Sequence, residues 1–299
     1  MSTRAMNGGL VAATRPARAV KAVVLLVCCA IVIVPFIGIV ATSLSTRDEV
    51  VRSGGFVMFP SKITFGAYQA ILSGGVVTRA TVVSVAVTGV GTLISLVSTS
   101  LLSYGLSRSR STLHKPLLML VLFALLFTPG IIPSYLVVKT LGLYDSYWSL
   151  ILPVAINAFN VIVLRAFFME LPREIVDSAR IDGAGDFAIL WRIVLPMSKA
   201  VLAVIGLFYA VGYWNSFFTP LLYLQDNAKW PLQLVLRTYV VNQTNLGVDQ
   251  LGGIGGAQLP PEQALEMAIL VLSIIPILLV YPFVQRHFSR GVLIGAVKG

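Results

Sequence analysis

The sequence predicts an all-α, polytopic membrane protein with six transmembrane helices. Of its 299 residues, 57% are hydrophobic and only 11% are charged. A soluble domain carries roughly 25% charged residues and about 45–50% apolar ones, so this chain has too few charges to cover a soluble globule of its size. Disorder requires low hydrophobicity and is excluded as well. The six helices themselves are predicted from separate apolar runs along the chain.

Each apolar run is long enough to cross a bilayer, which takes about 20 mostly apolar residues. The first run is longer than the ~7–15 residues of a signal-peptide core, and no clear small-x-small cleavage site follows it. We therefore interpret it as a retained span. Thr128, Pro129, Gly130 and Pro133 interrupt the third run, either as a gate hinge or as a kink. The predicted transmembrane domain covers residues 22–288, with spans at residues 22–44, 80–106, 116–138, 148–168, 201–224 and 264–283.

The net charge of +10 indicates the orientation of the chain in the membrane. With the N-terminus in the cytoplasm, fifteen Lys and Arg residues lie inside and seven lie outside. Membrane proteins concentrate Lys and Arg in their cytoplasmic loops, so this excess supports the assignment. It places the N-terminal segment 1–21 and the C-terminal tail 289–299 in the cytoplasm. The whole +10 then falls on the inner side, and no nucleic acid is needed to explain it.

The sequence offers few residues for catalysis. It has no Gly-x-x-x-x-Gly-Lys-Ser/Thr pattern for nucleotide phosphates. The adjacent Cys28 and Cys29 give neither a disulfide framework nor metal-ligand spacing. His114 and His287 have no carboxylate or Cys partner at ligand spacing. The Gly-rich run at residues 252–256 is typical of a flexible exterior loop. We predict no catalytic residue, metal site or cofactor in this chain.

The connection at residues 169–199 has the pattern of a helix, a stop and a second helix. Pro172 suits a helix start, Gly183 a helix end, and Pro196 can open or kink the rise into the fifth span. A helix of about ten residues is marginal alone in water, so it must pack against something. We consider two interpretations, a helix lying on its own bundle and a docking element for a groove on a soluble partner.

Two apolar sides are expected on these helices at helical spacing. The first helix is predicted to pack with one set of side chains, Leu171, Ile175, Ala179 and, less well, Ile181. The second helix, which Asp186 can cap, is predicted to use another set, Phe187, Leu190, Trp191 and Val194.

The spacing in this segment resembles a known family. Residues 177–179 are Asp-Ser-Ala, Gly183 follows after three residues, and residues 193–196, Ile-Val-Leu-Pro, follow after nine more. This resembles the EAA loop of binding-protein-dependent ABC importer permeases, whose pattern is Glu-Ala-Ala, three residues, Gly, nine residues, Ile-x-Leu-Pro. Asp177 stands in place of Glu, and Ser178 in place of Ala. Residues 181–184 are similar to the carbohydrate-uptake branch, the maltose-permease-like subunits.

Other segments extend the resemblance over nearly the whole chain from the first span. Residues 59–60 and 64–68 resemble the start of the second span in the carbohydrate-uptake branch. Residues 214–217, with Pro220, resemble its fifth span. The tail at residues 291–299 looks like the terminus of the subgroup linked to complex oligo- and polysaccharide uptake.

The resemblance implies a permease subunit in the bacterial cytoplasmic (inner) membrane. Its partners would be a second, similar permease, two ABC ATPase subunits that use ATP and Mg²⁺, and an extracytoplasmic solute-binding protein. That protein would deliver a carbohydrate to the loops at residues 46–78 and 225–263. Lys298 in the tail is a lesser candidate contact to the ATPases. The residues expected at the ATPase joint are Glu174, Asp177, Ser178, Ala179, Arg180, Asp182, Gly183 and Pro196.

Polar and aromatic side chains within the spans are candidates for a sugar pathway, because sugars need hydrogen bonds and aromatic faces. Asn157 and Asn160 are three residues apart and share a helical side of the fourth span. Tyr213, Trp214 and Asn215 lie in the fifth span. Alternatively, these groups bond across helices and hold the bundle together.

Two other function classes compete with a carbohydrate permease. An ion-coupled secondary transporter is disfavoured because no span carries a deep carboxylate. An integral membrane enzyme is disfavoured because the sequence shows no nucleophile-base pair. We expect specificity for the sugar to be shared with the binding protein and the partner permease.

Overall fold

The computed structural model describes residues 15–73, 75–108, 113–241 and 260–296. Every regular element in these ranges is a helix, which confirms the all-α class. The α-helices are α1 (Arg15–Ser43), α2 (Arg47–Arg52), α3 (Gly66–Leu72), α4 (Val76–Ser107), α5 (His114–Leu126), α6 (Ile131–Thr140), α7 (Trp148–Ile151), α8 (Ala158–Glu170), α9 (Arg173–Ile181), α10 (Asp186–Ile189), α11 (Leu195–Met197), α12 (Lys199–Trp214), α13 (Phe218–Tyr223), α14 (Leu232–Leu236) and α15 (Glu262–Ala296). Short 3₁₀ segments lie at Leu152–Val154 and Asn227–Lys229, and π-helical segments at Leu190–Val194 and Arg237–Val241.

Three stretches in the described ranges are long and apolar enough to cross a membrane as single helices. They are Arg18–Ser43, Val76–Ser107 and Glu262–Pro282. They contain most or all of the first, second and sixth predicted spans. The last helix, α15, continues to Ala296 through the boundary predicted at residue 288. Residues 1–14, the Gly-rich run at 252–256 and Lys298 lie outside the described residues.

Two bent helix pairs are further candidate spans. Trp148–Val154 and Ala158–Glu170 meet at 50°, and they cover the fourth predicted span. Asp186–Met197 and Lys199–Trp214 meet at 85°, next to Pro196. Within the fifth predicted span, residues 201–224, the helix stops at Trp214, and a separate short helix, α13, covers most of the remainder. With each bent pair taken as one span, the described residues hold up to five spans.

The third predicted span is two helices, α5 with 13 residues and α6 with 10. Each is shorter than the ~17 residues that a crossing needs. The break contains Pro129 and Gly130, whereas Pro133 lies in the first turn of α6, where proline costs little. The interruption is therefore at residues 127–130, and the count of six spans stays a prediction.

The chain divides into two compact units. The described part of the first consists of residues 15–68 and 260–268. There the segment after α1 folds back on it. The Val57 N–H donates to Thr42 Oγ1 at 2.9 Å, and the hydroxyls of Ser43 and Tyr68 lie 2.8 Å apart. These bonds satisfy polar groups at the end of an apolar helix.

The second unit is built around α4, which packs against α12 and α8. Small polar residues recur every four positions along one side of α4 and bond to these neighbours. Ser95 Oγ lies 2.8 Å from the Tyr213 hydroxyl, and Thr99 Oγ1 lies 2.6 Å from the Tyr209 hydroxyl. Ser103 Oγ donates to the Val161 carbonyl at 3.0 Å. Such bonds between helices hold apolar bundles together where water is absent.

Candidate functional site

Gly183 ends the first helix of the connection as its sequence predicts. Helix α9 runs over Arg173–Ile181, with Pro172 immediately before it. Gly183 has φ +83°, a left-handed conformation that glycine adopts without strain. Its N–H donates to the Arg180 carbonyl at 3.0 Å, and the Ala184 N–H donates to the Ala179 carbonyl at 2.9 Å. These bonds satisfy carbonyls left open at a helix end.

The helices of the 169–199 connection are anchored to the bundle by a few apolar side chains. Val176 of α9 is buried, as are Ile189 and the π-helical residues Leu190 and Val194. They belong to the same core cluster as Tyr104 of α4 and Phe168 of α8. A nine-residue helix gains its stability from such packing, so the expectation that α9 must lean on something is confirmed.

The predicted apolar side of α9 is partly wrong. Leu171 and Ala179 do pack against the core, but Ile175 is 40% exposed and Ile181 is 87% exposed. Val176 takes the inward position instead. Ile175 and Val176 point about 100° apart on the helix, so only one of them faces the core. Ile181 is the last residue of the helix.

The second helix has two stripes with different surroundings. Leu190 and Val194 face the core, whereas Phe187 is 72% exposed and Trp191 is 59% exposed. The two exposed rings stack with centroids 6.3 Å apart and an interplanar angle of 7°. The prediction that all four side chains pack on one apolar side is therefore wrong. Together with Ile181, the stacked pair leaves apolar surface exposed on a segment otherwise rich in charge.

The charged residues of the connection are at its surface. Arg180 lies 3.2 Å from Asp186 and 3.9 Å from Asp177, while Glu174 and Asp182 are exposed. Exposed ion pairs contribute little to stability. The charged side chains of the connection can therefore exchange these pairs for contacts with a partner. Ser178 Oγ donates to the Glu174 carbonyl, so the hydroxyl in the usual Ala position is satisfied within the helix. Pro196 lies in α11, directly before the 85° bend.

A cavity of about 490 Å³ lies between α7, α8, α12 and α13 in the second unit. Its lining is uncharged and combines aromatic rings with hydroxyl and amide groups. The lining residues are Leu150, Val154, Asn157, Phe159, Asn160, Phe208, Tyr209, Gly212, Tyr213, Ser216 and Thr219. An apolar pocket with a few convergent polar groups has the character of a small-molecule binding site.

Three of the predicted pathway residues line this cavity, and they also make structural bonds. Asn157 accepts a bond from the Asn160 N–H at 3.2 Å and so caps α8, and its own N–H donates to the Tyr209 hydroxyl at 2.9 Å. The Tyr213 hydroxyl, which bonds to Ser95, also donates to the Ile151 carbonyl at 3.3 Å. The same polar groups therefore line the cavity and form hydrogen bonds that hold the helices together.

Trp214 and Asn215 do not line this cavity. The Trp214 indole N–H donates to the Ser273 carbonyl at 2.8 Å and is buried against α15. Asn215 caps the end of α12. Successive helical residues point about 100° apart, so Tyr213 and Trp214 face different neighbours. Tyr209 also lines the cavity and was not among the predicted residues, although its position four residues before Tyr213 puts it on the same side of the helix.

A charged pair fixes two connections that lie outside the spans. Lys229 Nζ is 2.7 Å from Asp145 Oδ2, and Asp145 Oδ1 accepts bonds from the N–H groups of Gln225 and Asp226 at 3.0 and 3.2 Å. The bond from Lys229 and these backbone donors hold the pKa of Asp145 below its ordinary value of 3.8. The same carboxylate raises the pKa of Lys229 above 10.5.

This pair predicts a pH dependence of stability. The lowered pKa of Asp145 means that its contribution is present above pH 3.8 and is lost as the pH falls through its folded value. The raised pKa of Lys229 means that its contribution is present below pH 10.5 and is lost as the pH rises through its folded value. We expect Lys229→Met to lower the melting temperature between these limits. In acid the two melting curves should converge, and a gap that is unchanged at pH 2 would contradict the pairing.

Comparison with known proteins places the chain in a family. The family model described as "Binding-protein-dependent transport system inner membrane component" matches residues 91–294. The polygalacturonan/rhamnogalacturonan transport system permease protein YtcP of Bacillus subtilis (strain 168) is 48% identical, over 90% of this chain and 93% of that protein. Protein LplC of the same organism is 47% identical, over 90% of each.

A solved structure agrees with these matches. The chain superposes on a chain of a bacterial ABC transporter involved in the import of the acidic polysaccharide alginate with a TM-score of 0.85. The two are 31% identical, and the match covers 92% of this chain and 99% of that one. The chain therefore belongs to the family of inner membrane components of binding-protein-dependent transport systems.

Proposed function

We propose that this chain is the transmembrane permease subunit of an ATP-driven ABC importer that translocates a carbohydrate of the oligo- or polysaccharide class. One observation carries the proposal: the 169–199 connection, with its complete EAA-type spacing, is packed into the same core cluster as the helices that line the cavity. A partner bound at the connection therefore has a direct mechanical path to the cavity. The relatives named for polygalacturonan and alginate transport support the carbohydrate class.

In this proposal, a partner ATPase binds the exposed surface of the 169–199 connection. Glu174, Asp177 and Asp182 offer carboxylates, and Ile181 offers exposed apolar area, which suits a short helix in a groove. When ATP closes the ATPase pair, the helix moves with its groove. Val176 and Leu190 transmit that movement to the packed ends of α4 and α8. ATP and Mg²⁺ are used by the ATPase, and this chain supplies no catalytic residue.

The complete importer contains a second permease, two ATPases and an extracytoplasmic solute-binding protein. We assign the N- and C-termini of this chain to the cytoplasm, with the Asp145–Lys229 pair on the opposite side. In that orientation the ATPases meet the 169–199 connection, and the binding protein meets the loops at residues 46–78 and 225–263. Sugar would then pass the hydroxyl, amide and aromatic groups around Asn157, Asn160 and Tyr213.

The test is uptake of labelled oligosaccharides into proteoliposomes that contain the complete set of subunits. We expect uptake to require ATP and the ATPase partners and to persist when ionophores collapse all ion gradients. Uptake that follows an ion gradient without ATP would support a secondary transporter and overturn the proposal. ATP hydrolysis by this chain alone, in pure form, would overturn its assignment as a non-enzymatic subunit.

A further inference from the structure

Arg237 stacks on the ring of Phe217 in the second unit. It is the first residue of the π-helical segment Arg237–Val241, and its guanidinium carbon sits 4.4 Å above the centre of the Phe217 ring. The side chain is exposed and forms no ion pair with any residue in the described ranges. The ring therefore orients a guanidinium group whose charge is available to a ligand.

Phe217 lies in the short segment from Ser216 to Thr219, and both end residues of this segment line the cavity. The lining itself contains no Lys, Arg, Asp or Glu. By stacking on Phe217, Arg237 therefore brings a positive charge to a segment whose cavity-lining residues are neutral, and within the described residues no carboxylate pairs with it.

The geometry points to Arg237 as a specificity residue that binds the carboxylate of a uronic-acid sugar as the sugar passes the Ser216–Thr219 segment. This rests on the proposed carbohydrate function and narrows its substrate to acidic sugars. A guanidinium presents parallel N–H donors that match a carboxylate in a fork, and stacking on a ring pre-organises it. A neutral sugar has no carboxylate and so cannot form this charged pair with Arg237. Alginate, which the structural relative imports, is itself an acidic polysaccharide.

Measuring how tightly sugars bind the transporter tests this role of Arg237. The assembled transporter, with its partner permease and ATPases, is placed in lipid nanodiscs without the binding protein. Calorimetry then measures the affinity for trigalacturonate and trimannuronate, and for their carboxyl-reduced counterparts galactotriose and mannotriose. The variant is Arg237→Gln. The matched control is Lys139→Gln, which removes another exposed cation, in the last turn of α6.

We expect Arg237→Gln to weaken binding of at least one uronate about tenfold, the effect of losing one charged hydrogen-bonded contact. The neutral sugars should bind the variant and the natural chain equally, and Lys139→Gln should leave the affinity for every sugar unchanged. Equal uronate affinity in Arg237→Gln and the natural chain would overturn the inference.

Uptake separates this inference from the broader function. If the natural importer takes up neutral oligosaccharides but neither takes up nor binds a uronate, the acidic-sugar inference fails and the carbohydrate function stands. If it takes up no carbohydrate of either kind, the proposed function fails.

Discussion

Gly183→Pro is expected to stop sugar uptake while the transporter remains inserted. Proline fixes φ at about −65°, whereas Gly183 has φ +83°, so the helix end cannot keep its conformation. Its N–H, which donates to the Arg180 carbonyl, is also lost. Left-handed strain costs roughly 1–3 kcal/mol, and about 1.4 kcal/mol is a factor of ten, so we expect uptake to fall at least about tenfold. Uptake into proteoliposomes measures this.

The matched control is Gly185→Ala, two residues further along the same turn. Gly185 has φ −71°, and a Cβ added there meets open space, so alanine fits without strain. Uptake should stay close to that of the natural chain. If Gly183→Pro assembles with its partners and transports at the same rate as Gly185→Ala, the conformation of this turn has no part in coupling.

Gly91→Val is expected to distort the cavity by displacing Tyr213, one of its lining residues. A Cβ on Gly91 would lie 2.8–2.9 Å from three atoms of the Tyr213 ring, closer than packed atoms tolerate. Tyr213 must therefore move, and its hydroxyl loses Ser95 and the Ile151 carbonyl. Overpacking of this kind costs about 1–3 kcal/mol. We expect a lower melting temperature in lipid nanodiscs together with a loss of uptake.

Gly89→Val provides the comparison on the same helix. Gly89 is exposed, and nothing lies within 4 Å of an added Cβ, so the same substitution changes helix propensity without touching Tyr213. Its melting temperature should exceed that of Gly91→Val. Equal melting temperatures for the two variants would show that the close contact between Gly91 and Tyr213 does not matter.

The sequence predicted the backbone events of the 169–199 connection better than its packing. Gly183 and Pro196 act through local backbone chemistry, so the helix end and the bend beside Pro196 could be placed from residue type. The inward face of α9 could not. It depends on a core cluster that includes Tyr104, which lies far away in sequence, and Val176 joins that cluster whereas Ile175 does not.

The same distinction holds for the cavity. Asn157, Asn160 and Tyr213 were predictable because polar side chains inside an apolar run are rare and must find partners. That Trp214 turns away from the cavity could not be predicted, because its partner, the Ser273 carbonyl, lies 59 residues away in sequence. The broken third span was predicted at Pro129 and Gly130, but periodicity alone did not show that each half is too short to cross a bilayer.

The central claim is that the 169–199 connection contacts the ATPase, and site-specific photo-crosslinking tests it most directly. A photoreactive phenylalanine is placed at Ile181, which is 87% exposed, and separately at Phe59, which is 85% exposed in the loop assigned to the outer side. In the assembled importer, the probe at position 181 should crosslink to the ATPase and the probe at position 59 should not. No ATPase adduct from position 181, or equal adducts from both positions, would contradict the account.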